Sequence, residues 1–284
     1  MIDPTWLGLG IALPLALGAA GALLPTRCLG WALAVLCAMV TGYLARSGLP
    51  RIPPNQAHQW LLVVGVPTVV VAAVVVSRLR LQPAMGWVVR GVVAVGLPPL
   101  LLQAHLRYHW DRLEAVTWLI GLSAAVLLCW WAMHGVARRG GGFGGRALPM
   151  VLAITAAGTS VATLLSYNFT QAQWTMTLAA VLLGGGLVVL AFRFRHGLTG
   201  AVDVALPLVL AMVMMGRFHT TAMTNVQAGL LAGAPLAAAW AHWPGGRWLL
   251  GMAGWRLELV RLAAAVALVA AAMVLALVQW LGAR

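Results

Sequence analysis

The sequence contains no lysine, and acidic residues occupy only 5 of its 284 positions. Charged residues make up 8% of the chain and hydrophobic residues 62%, whereas a soluble domain carries about 25% charged residues. Mean hydropathy is +0.94. A soluble globular domain is therefore excluded. The alternating ten-residue pattern of a membrane β-barrel is also missing, so the long apolar runs predict transmembrane helices.

The shortage of acidic residues leaves a formal net charge of +13, with all 18 basic residues being arginine. These arginines stand singly or in pairs between apolar runs, without a basic tail or face, so we expect no nucleic acid partner. Their scatter is typical of the positive-inside bias and of contact with anionic headgroups, which makes the lipid bilayer the expected partner. The arginine bias, with abundant Ala, Gly, Val and Leu, indicates a GC-rich bacterial genome and a bacterial cytoplasmic (inner) membrane.

Cysteine is scarce too, and Cys28, Cys37 and Cys129 form neither a CxxC pair nor a metal-ligand spacing. No HExxH motif occurs, and the glycine-rich GGGFGG at 140–145 follows no strand, so a phosphate-binding loop is not expected. Among the seven histidines, His134 and His242 are the one pair on a common side, and positions at the membrane interface suit them better than haem ligation. We therefore expect no catalytic residues, no metal and no cofactor.

Apolar runs of about 18 residues or more predict an all-α polytopic membrane protein of about ten transmembrane helices. The predicted spans are 5–25, 28–46, 59–77, 84–105, 116–137, 147–166, 174–192, 199–216, 226–243 and 258–281. The Gly/Arg-rich segment 140–146 is interpreted as a linker between a first half, 1–139, and a second half, 147–284, of about five helices each. The initial MIDPTW lacks the positive region of a signal peptide, so we expect the first helix to be retained.

Arginine is unequally divided between the two sides of this arrangement. Ten arginines fall in loops after the odd-numbered helices and six on the opposite side, while Arg90 and Arg261 lie within spans. Because arginine accumulates on the cytoplasmic side, both termini are predicted to lie on the non-cytoplasmic side.

Proline marks a resemblance between the two halves. Ala-Leu-Pro ends at Pro14 and again at Pro149, and the run around Pro67 is similar to the run around Pro207. Likewise LPPLLLQAH, ending at 105, is similar to APLAAAWAH, ending at 242. Halves of five helices cross the membrane in opposite senses, which predicts an inverted repeat with a site between its parts. Short matches between residues as common as these also arise by chance.

In helix number, chain length and five-plus-five arrangement, the pattern resembles the drug/metabolite transporter superfamily. The resemblance is one of architecture and rests on no shared motif. It implies a secondary transporter fold. The N-terminus predicted outside the cytoplasm departs from what that superfamily leads one to expect.

Asp203 is the one acidic residue that we place within a predicted span, one turn before Pro207. Intramembrane carboxylates are costly, face the protein interior and mark ion or proton pathways. A carboxyl that stays protonated in the membrane would suit a proton carrier, whereas a nearby arginine would keep it ionised. Arg90 and Arg261 are the two candidate partners, although contact with the cytoplasmic headgroups is the plainer interpretation of Arg90. Proline also frees the carbonyl four residues before it, so Pro67 and Pro207 are candidate contacts for a cation or polar solute, although a simple helix kink is the plainer interpretation.

Threonines recur every four residues in the sixth predicted span, at Thr155, Thr159 and Thr163. This spacing places three hydroxyls on one helix face, where they either line a polar pathway or serve as a packing surface. The predicted binding residues are thus Asp203, Arg90, Pro67, Pro207, Thr155, Thr159 and Thr163.

Three functions are compatible with these features. A secondary transporter of an unidentified small solute predicts a polar cavity between the halves, lined by Asp203, Thr159 and the backbone near the two prolines. The alternative, a non-catalytic subunit or scaffold with other membrane subunits as partners, predicts that the same residues pack without a cavity. An enzyme acting on a lipid or quinone predicts two or more titratable groups in one pocket, and few such groups lie within the spans.

Overall fold

The computed structural model describes residues 4–24, 27–50, 52–54, 56–78, 82–139, 145–192, 198–220, 223–240 and 254–282. The regular structure in these ranges is entirely helical and comprises eleven helices. Their bounds are 4–23 for α1, Arg27–Ser47 for α2, Ala57–Arg78 for α3, Pro83–Leu101 for α4, Gln103–Tyr108 for α5, Arg112–Arg139 for α6, Leu148–Leu165 for α7, Phe169–Ala191 for α8, Leu198–His219 for α9, Asn225–Ala239 for α10 and Gly254–Gly282 for α11.

Eight of these helices are long and apolar enough to cross a membrane, which establishes a multi-pass membrane protein. They are α2, α3, α4, α6, α7, α8, α9 and α11. The first and ninth predicted spans are also helices, but neither is among these eight, and residues 241–243 of the ninth lie outside the described residues. The apolar part of α1 is Gly8–Leu23, and α10 has 15 residues, about 22 Å at 1.5 Å per residue, short of a core about 30 Å thick.

Several helix ends differ from the predicted bounds for local reasons. The fourth predicted span does not continue to residue 105, because the helix ends at Leu101 after Pro98 and Pro99, and α5 starts separately at Gln103. At the start of α8, the Asn168 side chain accepts a hydrogen bond from the Gln171 amide at 3.2 Å. This polar cap extends the helix beyond the apolar run that the sequence displays.

Two prolines follow a widened turn of helix. Pro14 and Pro67 each stand two residues after a five-residue π-helical segment, Gly8–Ala12 in α1 and Leu61–Gly65 in α3. Proline has no amide hydrogen, so the carbonyl four residues earlier loses its α-helical donor. For Pro14 that carbonyl belongs to Gly10, which accepts a 2.9 Å hydrogen bond from the Thr177 hydroxyl of α8. Pro207, by contrast, lies within regular α-helix, so the proposed pair Pro67 and Pro207 differ in local structure.

Helix α9 forms the centre of the bundle. It packs against α2, α3, α4, α6, α7, α8 and α10. In its most apolar stretch 94% of the residues are buried, compared with 22% for α11, whose outer face carries exposed Leu and Val side chains. A helix that is apolar all round belongs in the interior, whereas α11 faces lipid on one side. Asp203, near the start of α9, is consequently buried.

The two parts of the chain also interleave through α1, which packs on α8. The contact is made of glycines, because a Cβ at Gly18 would lie 1.8 Å from the Val181 carbonyl oxygen and one at Gly184 would lie 2.0 Å from that of Leu15. Such close backbone approach is the usual way that membrane helices associate. The division into 1–139 and 147–284 stays a prediction. Of the proposed linker, residues 140–144 lie outside the described residues, and Gly145 and Arg146 are buried.

Replacing Gly18 with Val is expected to destabilise the folded protein by about 1–3 kcal/mol or more, the usual cost of overpacking, because α1 and α8 must separate. Thermal denaturation of the detergent-solubilised protein, followed by size-exclusion chromatography, measures this effect. Gly96→Val on α4 is the matched control, since a Cβ there meets nothing within 4 Å. Equal melting temperatures for the two variants would contradict the described α1–α8 contact.

Candidate functional site

The structure brings Arg90 of α4 and Asp203 of α9 together in a buried ion pair. Arg90 Nε donates to Asp203 Oδ1 at 3.0 Å, and Arg90 Nη2 donates to Oδ2 at 2.7 Å. Both side chains are less than a tenth exposed. The two parallel hydrogen bonds are the bidentate geometry that makes arginine–carboxylate pairs strong. Arg90 is therefore the counter-ion of Asp203, and its guanidinium turns inward instead of reaching the headgroups.

Two side chains of α6 complete the surroundings of the carboxylate. Trp130 Nε1 donates to Asp203 Oδ1 at 2.8 Å. One turn along α6, His134 Nδ1 lies 3.4 Å from Asp203 Oδ1 and also 3.4 Å from Arg90 Nη2. Trp87 stands over the Arg90 guanidinium at 5.0 Å and meets the His134 ring edge-on at 5.8 Å. Asp203 thus accepts three hydrogen bonds from nitrogen donors, as an ionised carboxylate does.

A cleft of about 260 Å³ leads to this pair from the end of the bundle where α3 ends and α4 begins. Its walls come from helices of both predicted halves, with α2, α3, α4 and α6 on one side and α9 on the other. The polar side chains lining it are Cys28, Ser77, Gln82, Trp87, Arg90, His134, Arg138, Thr199 and Asp203. A second cleft of about 410 Å³ shares Trp87, His134 and Arg138 and extends along the outer face of α6.

The ionised groups lining the 260 Å³ cleft carry an excess of positive charge. Asp203 balances Arg90, and Arg138 at the exposed mouth contributes a further positive charge. The first turn of α9 also presents Thr199 and Gly200 to the cleft, and helix N-termini favour anions. This arrangement suits a small anion with groups that can accept hydrogen bonds.

The other predicted site residues lie away from the cleft. Thr155, Thr159 and Thr163 are fully buried, and each hydroxyl donates to the carbonyl four residues earlier, at 2.8 to 2.9 Å. Pro207 is buried within α9 one turn beyond Asp203, and Pro67 is half-buried in α3. None of these five residues lines the clefts described above. They stay predictions as binding residues.

The sequence interpretation assigned His134 to the membrane interface, and the structure places it, together with Trp87, beside the ion pair. Trp130 carried no prediction. A signal for the group did exist, because Trp87 precedes Arg90 by three residues and Trp130 precedes His134 by four, so each pair shares one helix face. That spacing relates Trp87 to Arg90, whereas the approach of Trp130 and His134 to Asp203 depends on the packing of α6 against α9.

Arg261, the second candidate partner of Asp203, instead pairs with Glu258 in α11 at 2.9 Å. Glu258 is buried and also accepts hydrogen bonds from the amides of Gly145, at 2.7 Å, and Ala147, at 2.8 Å. These amides lie just before α7, where a carboxylate satisfies unpaired donors. The sequence prediction that Asp203 alone is acidic within a span was wrong, because Glu258 is the first residue of the predicted span 258–281 and lies one turn inside α11, which begins at Gly254.

The opposite end of the bundle carries a second concentration of polar and aromatic side chains. His105 of α5 meets His109 and His219 at ring-centroid distances of 5.3 and 5.4 Å, beside Trp110 and Phe218. Burial, then His219, His109 and Arg217, hold the pKa of His105 below its ordinary value. In the part of the chain that the structure describes, no three His, Cys, Asp or Glu side chains are placed to hold a metal ion. His242 lies outside the described residues.

Comparison with known proteins adds no family to this description. No protein-family model matches the chain, and no curated protein matches its sequence. The functional argument therefore rests on the geometry of the Arg90–Asp203 cleft.

Replacing Arg90 with Met is expected to destabilise the protein by about 3–5 kcal/mol, because Asp203 is left as a buried charge without its counter-ion. The double variant Arg90→Met/Asp203→Leu should recover most of this loss, since an apolar pair carries no desolvation cost. Unfolding in mixed detergent micelles measures both. Arg256→Met, at an exposed arginine of α11, is the control. If the single and double variants had the same stability, the unpaired charge of Asp203 would not be the cause of the loss in Arg90→Met.

The lowered pKa of His105 predicts an acid-sensitive stability. A histidine that is harder to protonate in the folded protein binds fewer protons than the unfolded chain as the pH falls below about 6.5. The contribution of His105 to the free energy of unfolding is complete above that pH, and it is lost progressively as the pH decreases toward the pKa of His105 in the folded protein. His105→Phe should therefore reduce the fall in melting temperature between pH 7.5 and pH 5. Tyr108→Phe, at an exposed neighbour, should leave that fall unchanged.

Proposed function

We propose that this multi-pass membrane protein is a secondary transporter of a small anionic solute, bound in the cleft that ends at Arg90 and Asp203. One observation carries the proposal. The bidentate Arg90–Asp203 pair is largely buried, yet it lines a polar cleft between helices of both predicted halves. Ionisable residues inside membrane helices are expensive and are retained for function. The cleft also places them within reach of a solute.

The charge of the cleft favours an anion over a cation. Two arginines face one aspartate there, and Gln82, Ser77 and Thr199 add neutral hydrogen-bonding groups around the opening. Arg90 uses Nε and Nη2 for Asp203, which leaves its Nη1 as a donor for a solute. Trp87 and His134 supply flat walls. A carboxylate or phosphate of modest size matches this combination of charge, donors and volume.

The ion pair also offers a reason for the cleft to change shape when a solute binds. An anion that reaches Arg90 competes with Asp203 for the same guanidinium, and the displaced carboxylate retains Trp130 as a donor. A solute shifts the equilibrium between two conformations of a protein when it binds one of them more tightly than the other. Because Asp203 sits on the central helix, such an exchange would act on the helices packed around α9.

The inverted repeat is part of the same proposal and stays a prediction. If the halves were related by a two-fold axis, the contact between α1 and α8 would have an equivalent between α2 and α7. The described helices pack extensively at the first contact, but the second is not among their principal contacts. Transport with asymmetric halves remains compatible with rocking of one group of helices against another. We further propose that the protein resides in a bacterial inner membrane, with the cleft opening toward the cytoplasm and both termini on the other side.

The two competing functions fit fewer observations. A scaffold needs no polar cleft at its buried charges, although the threonine face of α7 is packed as that hypothesis expects. An enzyme is favoured by the convergence of Arg90, His134 and Asp203 in one cleft. Asp203 is already engaged by three donors, however, so it is poorly placed to act as a general base. Product formation without net uptake would distinguish an enzyme from a transporter.

Uptake by proteoliposomes tests the proposal for whichever solute the protein carries. Vesicles containing the protein are incubated with a small-molecule cell extract, washed, and their contents identified by mass spectrometry. We expect at least one small anion to accumulate relative to empty vesicles. Arg138→Met should weaken that accumulation by about tenfold, the effect of losing one charge-assisted contact.

The control variant is Arg256→Met, which removes an exposed arginine outside the cleft and should transport normally. Accumulation of a cation or neutral solute instead would contradict the anionic assignment. Vesicles that hold folded protein and accumulate nothing, or that respond equally to both arginine variants, would contradict transport through this cleft.

A further inference from the structure

The bundle also contains an apolar groove, whose lining contrasts with that of the charged cleft. It has a volume of about 230 Å³ and lies between α6, α9 and α10. Its walls are aliphatic and small side chains, among them Leu122, Val126, Leu210, Val213 and Met214. Nothing in its interior suits a polar solute. A groove of this composition at membrane depth accepts hydrocarbon.

Small residues keep the groove open toward the lipid. Ala125 of α6 and Gly229 of α10 stand on its two lips, and both are exposed. A Cβ at Gly229 would meet nothing within 4 Å, so the space beside it is unfilled. Deeper in the bundle the groove closes, where the Cys129 thiol of α6 donates to the Ala232 carbonyl of α10 at 3.7 Å. The groove therefore has a blind inner end and a lateral opening.

A single positive charge marks the outer end. Arg217 lines the groove there, with its Nε bound to the Asn225 side chain and its guanidinium over the Phe218 ring at 5.4 Å. Among the described residues, no carboxylate pairs with Arg217. The charge is thus held at the mouth by neutral neighbours, with its terminal nitrogens available to another acceptor.

The aromatic residues at this end place the mouth at headgroup depth. Trp118 lines the groove, stacks with Trp110 at 6.1 Å and meets Phe218 edge-on at 5.2 Å. Tryptophans of this kind concentrate at the boundary between hydrocarbon and water. An amphiphile whose chain enters the groove would consequently have its polar group level with Arg217.

We propose that this groove binds one anionic phospholipid, with an acyl chain between α6 and α10 and the phosphate at Arg217. The apolar interior, the lateral opening and the cation at headgroup depth each match one part of such a molecule. A zwitterionic lipid offers the same chain and a phosphate whose charge is balanced by its own ammonium group, so it binds more weakly. The site is independent of the charged cleft and of transport.

Native mass spectrometry of the delipidated protein tests this assignment. The probes are palmitoyl-oleoyl phosphatidylglycerol and palmitoyl-oleoyl phosphatidylcholine, which share both chains. We expect phosphatidylglycerol to bind about tenfold more tightly, as one charge-assisted contact provides. Arg217→Gln should abolish this preference, and Arg217→Lys should preserve most of it because the charge remains.

Two glycine variants separate the chain site from the headgroup site. Gly229→Leu fills the groove and should weaken both lipids by about tenfold or more, the loss that follows when apolar contact area is removed. Gly121→Leu, on the lipid face of α6 where a Cβ also meets open space, should change neither. Thermal stability of each variant confirms that it is folded.

The proposal is overturned by any of three results with folded protein. The two lipids could bind equally to the unaltered protein, Arg217→Gln could retain the preference, or Gly229→Leu could bind like Gly121→Leu. Binding of oleate with no binding of phosphatidylglycerol would also overturn it, since it would identify a fatty acid as the occupant.

Discussion

The buried charge pair between Arg90 and Asp203 is the constraint from which the rest of the site follows. A lone carboxylate on the central helix would be prohibitively costly in a region of low dielectric constant. Asp203 is therefore surrounded by donors from two other helices, and those donors fix how α4 and α6 face α9. The cleft exists where this group reaches the end of the bundle. Its chemistry is a consequence of holding one acid in the core.

Several buried hydroxyls elsewhere in the bundle donate to backbone carbonyls. The threonines of α7 donate to their own helix, Thr177 donates to the carbonyl before Pro14, and Ser160 donates to the Ala172 carbonyl at 2.6 Å. Each hydroxyl is consumed by nearby backbone, which is the ordinary role of hydroxyls between membrane helices. Unlike these hydroxyls, the Arg90–Asp203 pair is a polar group that lines an open cleft.

Long uncharged runs were sufficient to predict the helices, because only helices satisfy a backbone in lipid. Their ends were less predictable, since caps such as Asn168 lie outside the apolar pattern. The pairing of Asp203 with an arginine followed from the cost of a buried charge. His134 was assigned to the interface because residues near helix ends look alike in sequence whether they face headgroups or a cleft. Only the packing of α4, α6 and α9 separates those two environments.

Glu258 has a consequence for how the protein is made. Its carboxylate binds the amides of Gly145 and Ala147, which precede it by 113 and 111 residues. During synthesis the start of α7 emerges long before α11 exists, so those amides have no permanent acceptor until the last helix arrives. The start of α7 therefore reaches its final hydrogen bonding only after α11 is made, and a chain stopped before α11 would leave α7 open at its first turn.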